Sequence, residues 1–516
     1  MLFNSFGFLL LFLPIVAAIF FLSARIDRQW AAAWLALASL FFYGWWDIRY
    51  VPLLLSSVCF NYWAGSRIGN AAAPFRQRWL AFAVVANLLL LGYFKYADFA
   101  VSSVNFITHA HYPVLKIVLP IGISFFTFTQ IAFLVDTCRE EVREYRFVHY
   151  LLFVTYFPHL IAGPILHHKE MMPQFGDSRT YRFSAINWAD GLSIFIIGLA
   201  KKVLIADNLA DYANVVFDKT DAPSLFIAWG GVLAYAFQLY FDFSGYSDMA
   251  IGLSRLFGIK LPLNFHSPYK AENIIVFWRH WHMTLSRFLR DYLYIPLGGG
   301  RKGTARRYVN LMLTMLLGGL WHGAGWNFVI WGALHGAYLM VNHGWIGLSA
   351  RYRLPAFLRF GKVSGTLLTF FAVCIAWVFF RAANLTHALD ILKGLLFFSG
   401  VGIPDSIGEH LGNLRPLLEQ YGVRFYLGGG ARFVQTYLWV GFAAVLVFCF
   451  PNTQQIMSRY EPALEGGAMQ GFLAAGANQL RWMWTPTVVW AIWIGLIATA
   501  SLLSLNRPAE FLYFQF

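Results

Sequence analysis

MLFNSFGFLLLFLPIVAAIFFLSARIDR, Met1 to Arg28, opens the chain with an apolar run that ends in two arginines. The run is about 20 residues long, the length a helix needs to cross the hydrocarbon core of a bilayer. No basic residue precedes it, so it lacks the n-region of a secretory signal, and Arg25 and Arg28 come only after it. It is expected to be an uncleaved first span with the N-terminus on the extracytoplasmic side.

Composition extends that picture to the whole chain. Of 516 residues, 59% are hydrophobic and only 12% are charged, with a mean hydropathy of +0.56. A soluble domain carries roughly 25% charged residues. These values exclude an ordinary soluble enzyme and predict an all-α polytopic membrane protein. Aromatics make up 19%, with 20 Trp and 51 Phe, enough to line a cavity as well as to form interfacial belts. The net charge of +14 comes from 39 Lys and Arg against 25 Asp and Glu. These basic residues are scattered between apolar spans, which argues against nucleic acid as a partner and for cytoplasmic loop charges and an anion site. The four cysteines, Cys59, Cys138, Cys374 and Cys449, are far apart with no CxxC spacing and are expected to be free thiols.

The loops agree with the N-out orientation. Arg67, Arg76 and Arg78 follow the third apolar run, no Lys or Arg occurs between Asp98 and Pro113, and Arg139, Arg143 and Arg146 follow the fifth. Further runs lie near 148–166, 189–206, 225–252, 308–321, 326–346, 364–380, 435–451 and 485–505. Several are short or interrupted, as in FPHLIAGP (Phe157–Pro164) and the polar stretch Trp45–Pro52. Breaks at membrane depth are tolerated only where protein or a cavity satisfies the freed backbone groups. The expected architecture is a ring of about eleven transmembrane helices, with re-entrant and interfacial helices around a funnel or through-cavity. The chain reads as one membrane domain, 1–516, with its motifs in 1–383 and a less diagnostic part in 384–516. Segments 384–434 and 452–484 read as loops or surface helices, and no repeat of fixed period is present.

Four polar stretches interrupt this apolar sequence. In FWRHWHMTLSRFLRDYLYIPLGGGRKG (Phe277–Gly303), a single helix over Glu272–Leu293 puts Trp278, His282, Leu285, Leu289 and Tyr292 on one stripe. His280, Thr284, Arg287 and Asp291 fall on another. Such a helix is either an interfacial element anchored by Trp and Arg or the bearer of a site. Its tail LGGGRKG (Leu297–Gly303) is either a phosphate cradle at Arg301 and Lys302 or a basic interfacial turn. It is not a Walker A loop, because no GK[ST] follows. In GGLWHGAGWNF (Gly318–Phe328) the glycines suit close helix packing, while His322 is either a general base or a hydrogen-bonded core histidine. His335, in WGALHG, has the same two readings. QLYFDFSGYSDMAIG (Gln238–Gly252) holds Asp242, Ser244, Ser247 and Asp248 without GxSxG, so no hydrolase elbow is supported. Asp248 either orients a histidine, binds a loop arginine, or joins helices. HExxH is absent, and no metal site is expected from His280, His282 and His322.

FDFSGYSDMAIG, FWRHWHMTLSRFLRDYLYIPLGG, GGLWHGAGWNF and WGALHG, with the earlier GYFKYADF and FPHLIAGP, resemble the membrane-bound O-acyltransferase superfamily. The resemblance is closer to its bacterial branch that O-acetylates polysaccharides. It runs in order from the first span to about Arg381; the last third, with its ending EFLYFQF, matches only in general character. It implies a ring of helices around a funnel, with a catalytic histidine where a cytoplasmic and an outer cavity meet. His322 corresponds to the histidine of the family's WHG motif, and His282 to that of its FWRxWHxSL motif, with Thr284 where many members have Ser.

By the same resemblance, acetyl-CoA is the donor and no cofactor is permanently bound. Arg279, Arg301, Lys302 and Trp278 are the expected donor-binding residues, with His282 giving a hydrogen bond to the developing oxyanion. Asp248 or Asp242 would orient a histidine, with Trp321 and His335 in support. The expected location is a bacterial inner membrane. The acetyl group would pass to an extracytoplasmic SGNH-like acetyltransferase partner and from it to a polysaccharide, with alginate ahead of peptidoglycan and cellulose. A transporter, which should show an internal pseudo-repeat, and a non-catalytic scaffold are the alternatives from other classes.

Overall fold

Pro14, Pro52 and Pro74 stand in the first turns of three of the first four helices, where a missing N–H breaks no hydrogen bond. In this computed structural model, which describes residues 1–141, 146–219, 222–352, 361–464 and 483–505, those four are α1 (Leu13–Ile26), α2 (Arg28–Gly44), α3 (Val51–Asn70) and α4 (Ala73–Thr108). Asp27 caps α2 by accepting from the Gln29 N–H, and Asp47 caps a 3-10 turn at Ile48–Tyr50 before α3. Connections this short make the helices antiparallel neighbours. Residues 45–50 and the extended segment 109–120 therefore share one face, where the Tyr50 hydroxyl donates to the Val118 carbonyl at 3.1 Å. Gly122, at φ 72°, turns the chain back into α5 (Ile123–Cys138), which ends on the opposite face; there Glu140 pairs with Arg76 at the start of α4.

The centre is built on two helices that touch through glycine. A Cβ on Gly198 of α6 (Ala185–Ala200) would sit 2.6 Å from the carbonyl oxygen of Gly245, which lies in α7 (Leu225–Leu256). The reciprocal Cβ on Gly245 would sit 2.7 Å from the Gly198 oxygen, and Gly191 and Gly252 repeat the pair at 2.8 and 2.5 Å. Small residues on both sides let the backbones meet. α7 is buried on all faces over most of its length, as a helix surrounded by other elements must be.

Two irregular stretches run through this interior. Residues 161–167 and 261–266 have no helix or ladder longer than a single bridge, and every one of them is buried. The first overlaps the break expected at FPHLIAGP; the second was not foreseen, and both are held at depth because the surrounding protein supplies their partners.

The single helix expected over Glu272–Leu293 does not form. Asn273 caps α8 (Ile274–His280), the chain breaks at Trp281 and His282, and α9 (Met283–Leu289) resumes in a new direction before a π turn at Arg290–Tyr294. His282 sits at the break with φ 42°. Periodicity alone could not show a backbone break held by tertiary contacts. α10 (Thr304–His322) and α11 (Trp326–Arg351) follow as a tight pair. A Cβ on Gly319 would meet the Gly332 Cα at 3.1 Å, and one on Gly332 would strike the Met315 carbonyl.

α12 (Lys362–Arg381), α13 (Leu385–Leu395), α14 (Gly430–Cys449) and α15 (Val488–Leu503) complete the described helices used below. Between α13 and α14 lies a small parallel sheet, β1 (Val401–Pro404) with β2 (Val423–Tyr426), Val401 opposite Val423. This corrects the expectation of only loops and surface helices over 384–434: four-residue strands leave too short a pattern to read. The structure is 76% helical. By length and apolarity, 5 helices among the described residues suit a membrane span, those beginning at Gly7, Ala73, Leu225, Lys362 and Gly430. Others, such as α10 and α11, carry the polar residues of the site. Arg143, the ending EFLYFQF and much of 452–484 fall outside the described residues.

Candidate active site

His322 is the last residue of α10, and Gly323 beyond it is extended. A side chain at 323 would strike the Phe328 ring, so glycine closes the turn into α11 against that ring. The imidazole is 9% exposed and packs edge-on against Trp321, Trp331 and Phe380, with ring centroids 4.9, 5.1 and 5.2 Å away. It makes no hydrogen bond among the described residues. His322 and Trp321 line a cavity of about 160 Å³, together with Trp46, Ile161 and the turn that starts α5. The cavity thus lies toward the face that carries 45–50 and 109–120.

His282 is fully buried, its ring centroid 6.4 Å from that of His322. Its Nδ1 faces the Oδ1 of Asn264 at 3.3 Å. The same oxygen accepts from the Thr284 hydroxyl at 2.6 Å and from the Thr284 N–H at 3.4 Å. A backbone N–H only donates, so the Asn264 atom is the acceptor and His282 must carry its proton on Nδ1. Nε2 then presents a lone pair, and no hydrogen-bond partner faces it among the described residues. In this tautomer a neutral His282 accepts, which is the opposite of the expected donation to an oxyanion.

Asp242 and Asp248 do not orient a histidine. Asp248 pairs with Lys201 at 2.6 Å and accepts from Thr453 at 2.7 Å and Gln454 at 3.2 Å. Asp242 pairs with Lys202 at 2.7 Å, which also holds Asp207 at 2.7 Å. Both lysines begin a π turn, Lys201–Ala206, that continues α6. These are helix-joining ion pairs, balanced locally as buried charges require. His335 is fully buried in an aromatic cage, 4.8 Å from Trp331 and 5.0 Å from Trp278, with neither ring nitrogen hydrogen-bonded among the described residues.

Arg301 and Lys302 are exposed just before the N-terminus of α10. The 19 residues of that helix place them about 27 Å from His322 at 1.5 Å per residue. In the loop itself the N–H groups of Gly298, Gly299 and Arg301 are spent on turn carbonyls, and Asn310 ties the Gly299 carbonyl at 2.9 Å. Arg279 is exposed and, like Arg307 of α10, acts electrostatically on His343 of α11. Arg139, at the end of α5, donates to the Asp291 carbonyl at 3.3 Å and lies over Tyr292. A basic rim therefore lies on the face opposite the cavity beside His322.

Lys95 is a residue that sequence reasoning passed over, although it stood in the quoted GYFKYADF. From α4 its Nζ donates to the carbonyls of Trp321 and, at 3.2 Å, His322. A lone lysine inside a long apolar helix was the available signal. Asn264 was missed too; nothing in its neighbourhood marked it before the fold brought it to His282.

The fold and site define a polytopic membrane protein with two neighbouring buried histidines, one of which lines a cavity. The sequence model described as MBOAT, membrane-bound O-acyltransferase family, matches residues 46–385. The chain is 40% identical over 544 residues to a peptidoglycan O-acetyltransferase of Helicobacter pylori, covering 100% of this chain and 98% of that one. It is 39% identical over 530 residues to a probable alginate O-acetylase of Azotobacter vinelandii, covering 100% of each. It is also 26% identical over 292 residues to a teichoic acid D-alanyltransferase of Bacillus subtilis, covering 55% of this chain and 74% of the relative. The chain belongs to the membrane-bound O-acyltransferase family and is a multi-pass membrane acyltransferase.

Proposed function

We propose that this protein moves an acetyl group from acetyl-CoA, bound at the cytoplasmic face, to a hydroxyl on the other side of the membrane, for O-acetylation of a polysaccharide. The observation that carries this is the position of His322: it lines a cavity toward one face while the basic rim of Arg279, Arg301 and Lys302 lies on the other. Donor phosphates suit the rim, with Trp278 beneath it, and an acceptor suits the cavity. The acetyl group then crosses without CoA crossing.

His322 takes the proton of the acceptor hydroxyl, whose oxygen attacks the thioester carbonyl carbon. As the C–O bond forms, the carbonyl electron pair moves onto oxygen. Its return breaks the C–S bond, and the departing thiolate takes the proton back from His322. His282, through the Nε2 lone pair, accepts a hydrogen bond from the transient imidazolium. Trp321, Trp331 and His335 shape an aromatic wall that keeps water from the thioester. A positioned base contributes roughly 10²- to 10⁴-fold.

The immediate acceptor is an extracytoplasmic SGNH-like acetyltransferase, and the polymer is alginate, as the name of the Azotobacter relative suggests; the Helicobacter relative makes peptidoglycan the second choice. The N-terminus is outside and the membrane is the bacterial inner membrane, in keeping with the arginines that follow the first, third and fifth runs. The test is His322→Ala in protein that is folded and inserted, with labelled acetyl-CoA supplied to proteoliposomes. Loss of label in the acceptor is expected. Normal labelling would remove His322 from catalysis, and label accumulating free in the lumen would indicate a transporter.

A further inference from the structure

The tautomer of His282 leaves the developing negative charge on the thioester oxygen without the donor first expected for it. Donors are present on another wall of the same cavity. The first turn of α5 lines it through Gly122, Ile123, Ser124 and Phe125. In that turn the Ile123 N–H bonds to the Pro120 carbonyl at 3.2 Å, and the N–H groups of Phe125 and Phe126 bond to the Gly122 carbonyl at 2.9 and 3.0 Å. The Ser124 N–H has no acceptor among the described residues. It is an orphan donor at the positive end of a 16-residue helix.

Lys95 lines the same cavity and is the cation in it; no carboxylate is among the lining residues. Two of its N–H groups are fixed on the Trp321 and His322 carbonyls, which holds the ammonium at the base of the histidine. The third reaches Ser124 Oγ at 3.4 Å, so that oxygen accepts and its own O–H is free to donate. His322 lines the same cavity, nine-tenths buried and its imidazole without a hydrogen-bond partner among the described residues. One cavity thus brings together an unsatisfied base and a fixed set of donors.

The geometry points to the Ser124 N–H and hydroxyl, with the Lys95 ammonium behind them, as the oxyanion-stabilising pole of the acyl transfer. The inference rests on the assignment of His322 as base. When the acceptor oxygen bonds to the thioester carbon, the carbonyl electron pair becomes an alkoxide-like oxygen. That oxygen lies against Ser124 and Lys95 until the C–S bond breaks and the charge leaves with sulfur. Donors already fixed by other bonds need no reorganisation as charge develops, which is what makes such a pole effective. Lys95 has a second role in the same geometry: by holding both carbonyls at the end of α10, it fixes where His322 projects.

The experiment uses the full chain in proteoliposomes, with acetyl-CoA as donor and the extracytoplasmic SGNH-like partner, supplied with mannuronate oligomers, as acceptor, and follows release of CoA thiol. Ser124→Ala and Lys95→Met are compared with wild type, Lys95→Arg and His322→Ala. Loss of one oxyanion donor typically lowers kcat by about 10²- to 10³-fold. Lys95→Met is expected to fall in that range and Ser124→Ala about tenfold because its N–H remains, with both KM values unchanged and partial recovery in Lys95→Arg. Wild-type kcat in Ser124→Ala would overturn the inference and leave Lys95 as a structural cap, even if Lys95→Met failed to fold. A raised KM for the partner at unchanged kcat would overturn it in another way, placing Lys95 in acceptor binding. If His322→Ala is inactive while Ser124→Ala and Lys95→Met turn over normally, only the oxyanion inference fails. If His322→Ala remains active, the assignment of the base fails first.

Discussion

Asn264 holds His282 from 18 residues away, its Oδ1 lying 3.3 Å from the imidazole Nδ1 and 2.6 Å from the Thr284 hydroxyl. The Thr284 hydroxyl in turn accepts from the Ile165 N–H at 3.0 Å, so one amide joins both irregular stretches of the interior to the break between α8 and α9. Replacing Asn264 by Leu leaves the Thr284 hydroxyl short of an acceptor and frees the imidazole to change tautomer. Unmet buried polar groups cost about 1–3 kcal/mol each. Asn264→Leu is expected to lower the thermal midpoint in detergent and to cut turnover about tenfold to hundredfold, since a histidine held in the wrong tautomer loses much of its catalytic use. Normal turnover in the folded variant would limit Asn264 to a structural part.

Asp248 separates stability from chemistry. Its carboxylate answers Lys201, Thr453 and Gln454, and touches neither His282 nor His322. Asp248→Asn leaves Lys201 without its counter-charge at a largely buried position, and breaking a buried pair from one side costs about 3–5 kcal/mol. The expected result is a lower unfolding temperature and less protein in the membrane, with kcat per folded molecule within about twofold of wild type. A folded variant that has lost acetyl transfer would return Asp248 to the active site.

The apolar runs, the broken spans and the histidines at 282 and 322 were legible because each rests on local sequence. Membrane depth makes an ionisable group conspicuous, and motif order did the rest. What remained hidden depended on long-range closure. The break at His282 is set by Asn264 and Thr284, the place of Lys95 by the end of a helix 227 residues further on, and the partners of Asp248 by Thr453 and Gln454. The small sheet of β1 and β2 pairs strands separated by two short helices, so neither four-residue segment could be recognised alone.

Gly252 tests the central crossing. A methyl group there would meet the Gly191 carbonyl oxygen at 2.5 Å and the Phe195 N at 2.6 Å, both on backbone that cannot rotate away. Overpacking of this kind costs about 1–3 kcal/mol when the structure can shift, and more when it cannot. Gly252→Ala should lower the unfolding temperature, and Gly252→Val should abolish recovery of folded protein. Gly441 in α14, where an added Cβ meets nothing within 4 Å, is the control: Gly441→Ala should behave as wild type. Equal behaviour of the two alanine variants would mean that α6 and α7 do not cross through these glycines.

Arg301 and Lys302 test the donor entrance, and their geometry sets the form of the answer. They are exposed and about 27 Å from His322 along α10, so they cannot act on the reacting atoms. A role in binding the phosphates of acetyl-CoA must therefore appear in KM alone. Charges in solvent are screened over about 8 Å at physiological salt, so the effect should also fade as salt is raised. The double variant Arg301→Gln with Lys302→Gln is expected to raise the KM for acetyl-CoA about tenfold at low salt, by less at 0.5 M, and to leave kcat unchanged. Acetyl-pantetheine, which lacks the nucleotide phosphates, should show no difference between variant and wild type. An unchanged KM for acetyl-CoA at low salt would make the loop a basic interfacial turn and move the phosphate site toward Arg279 and Arg307.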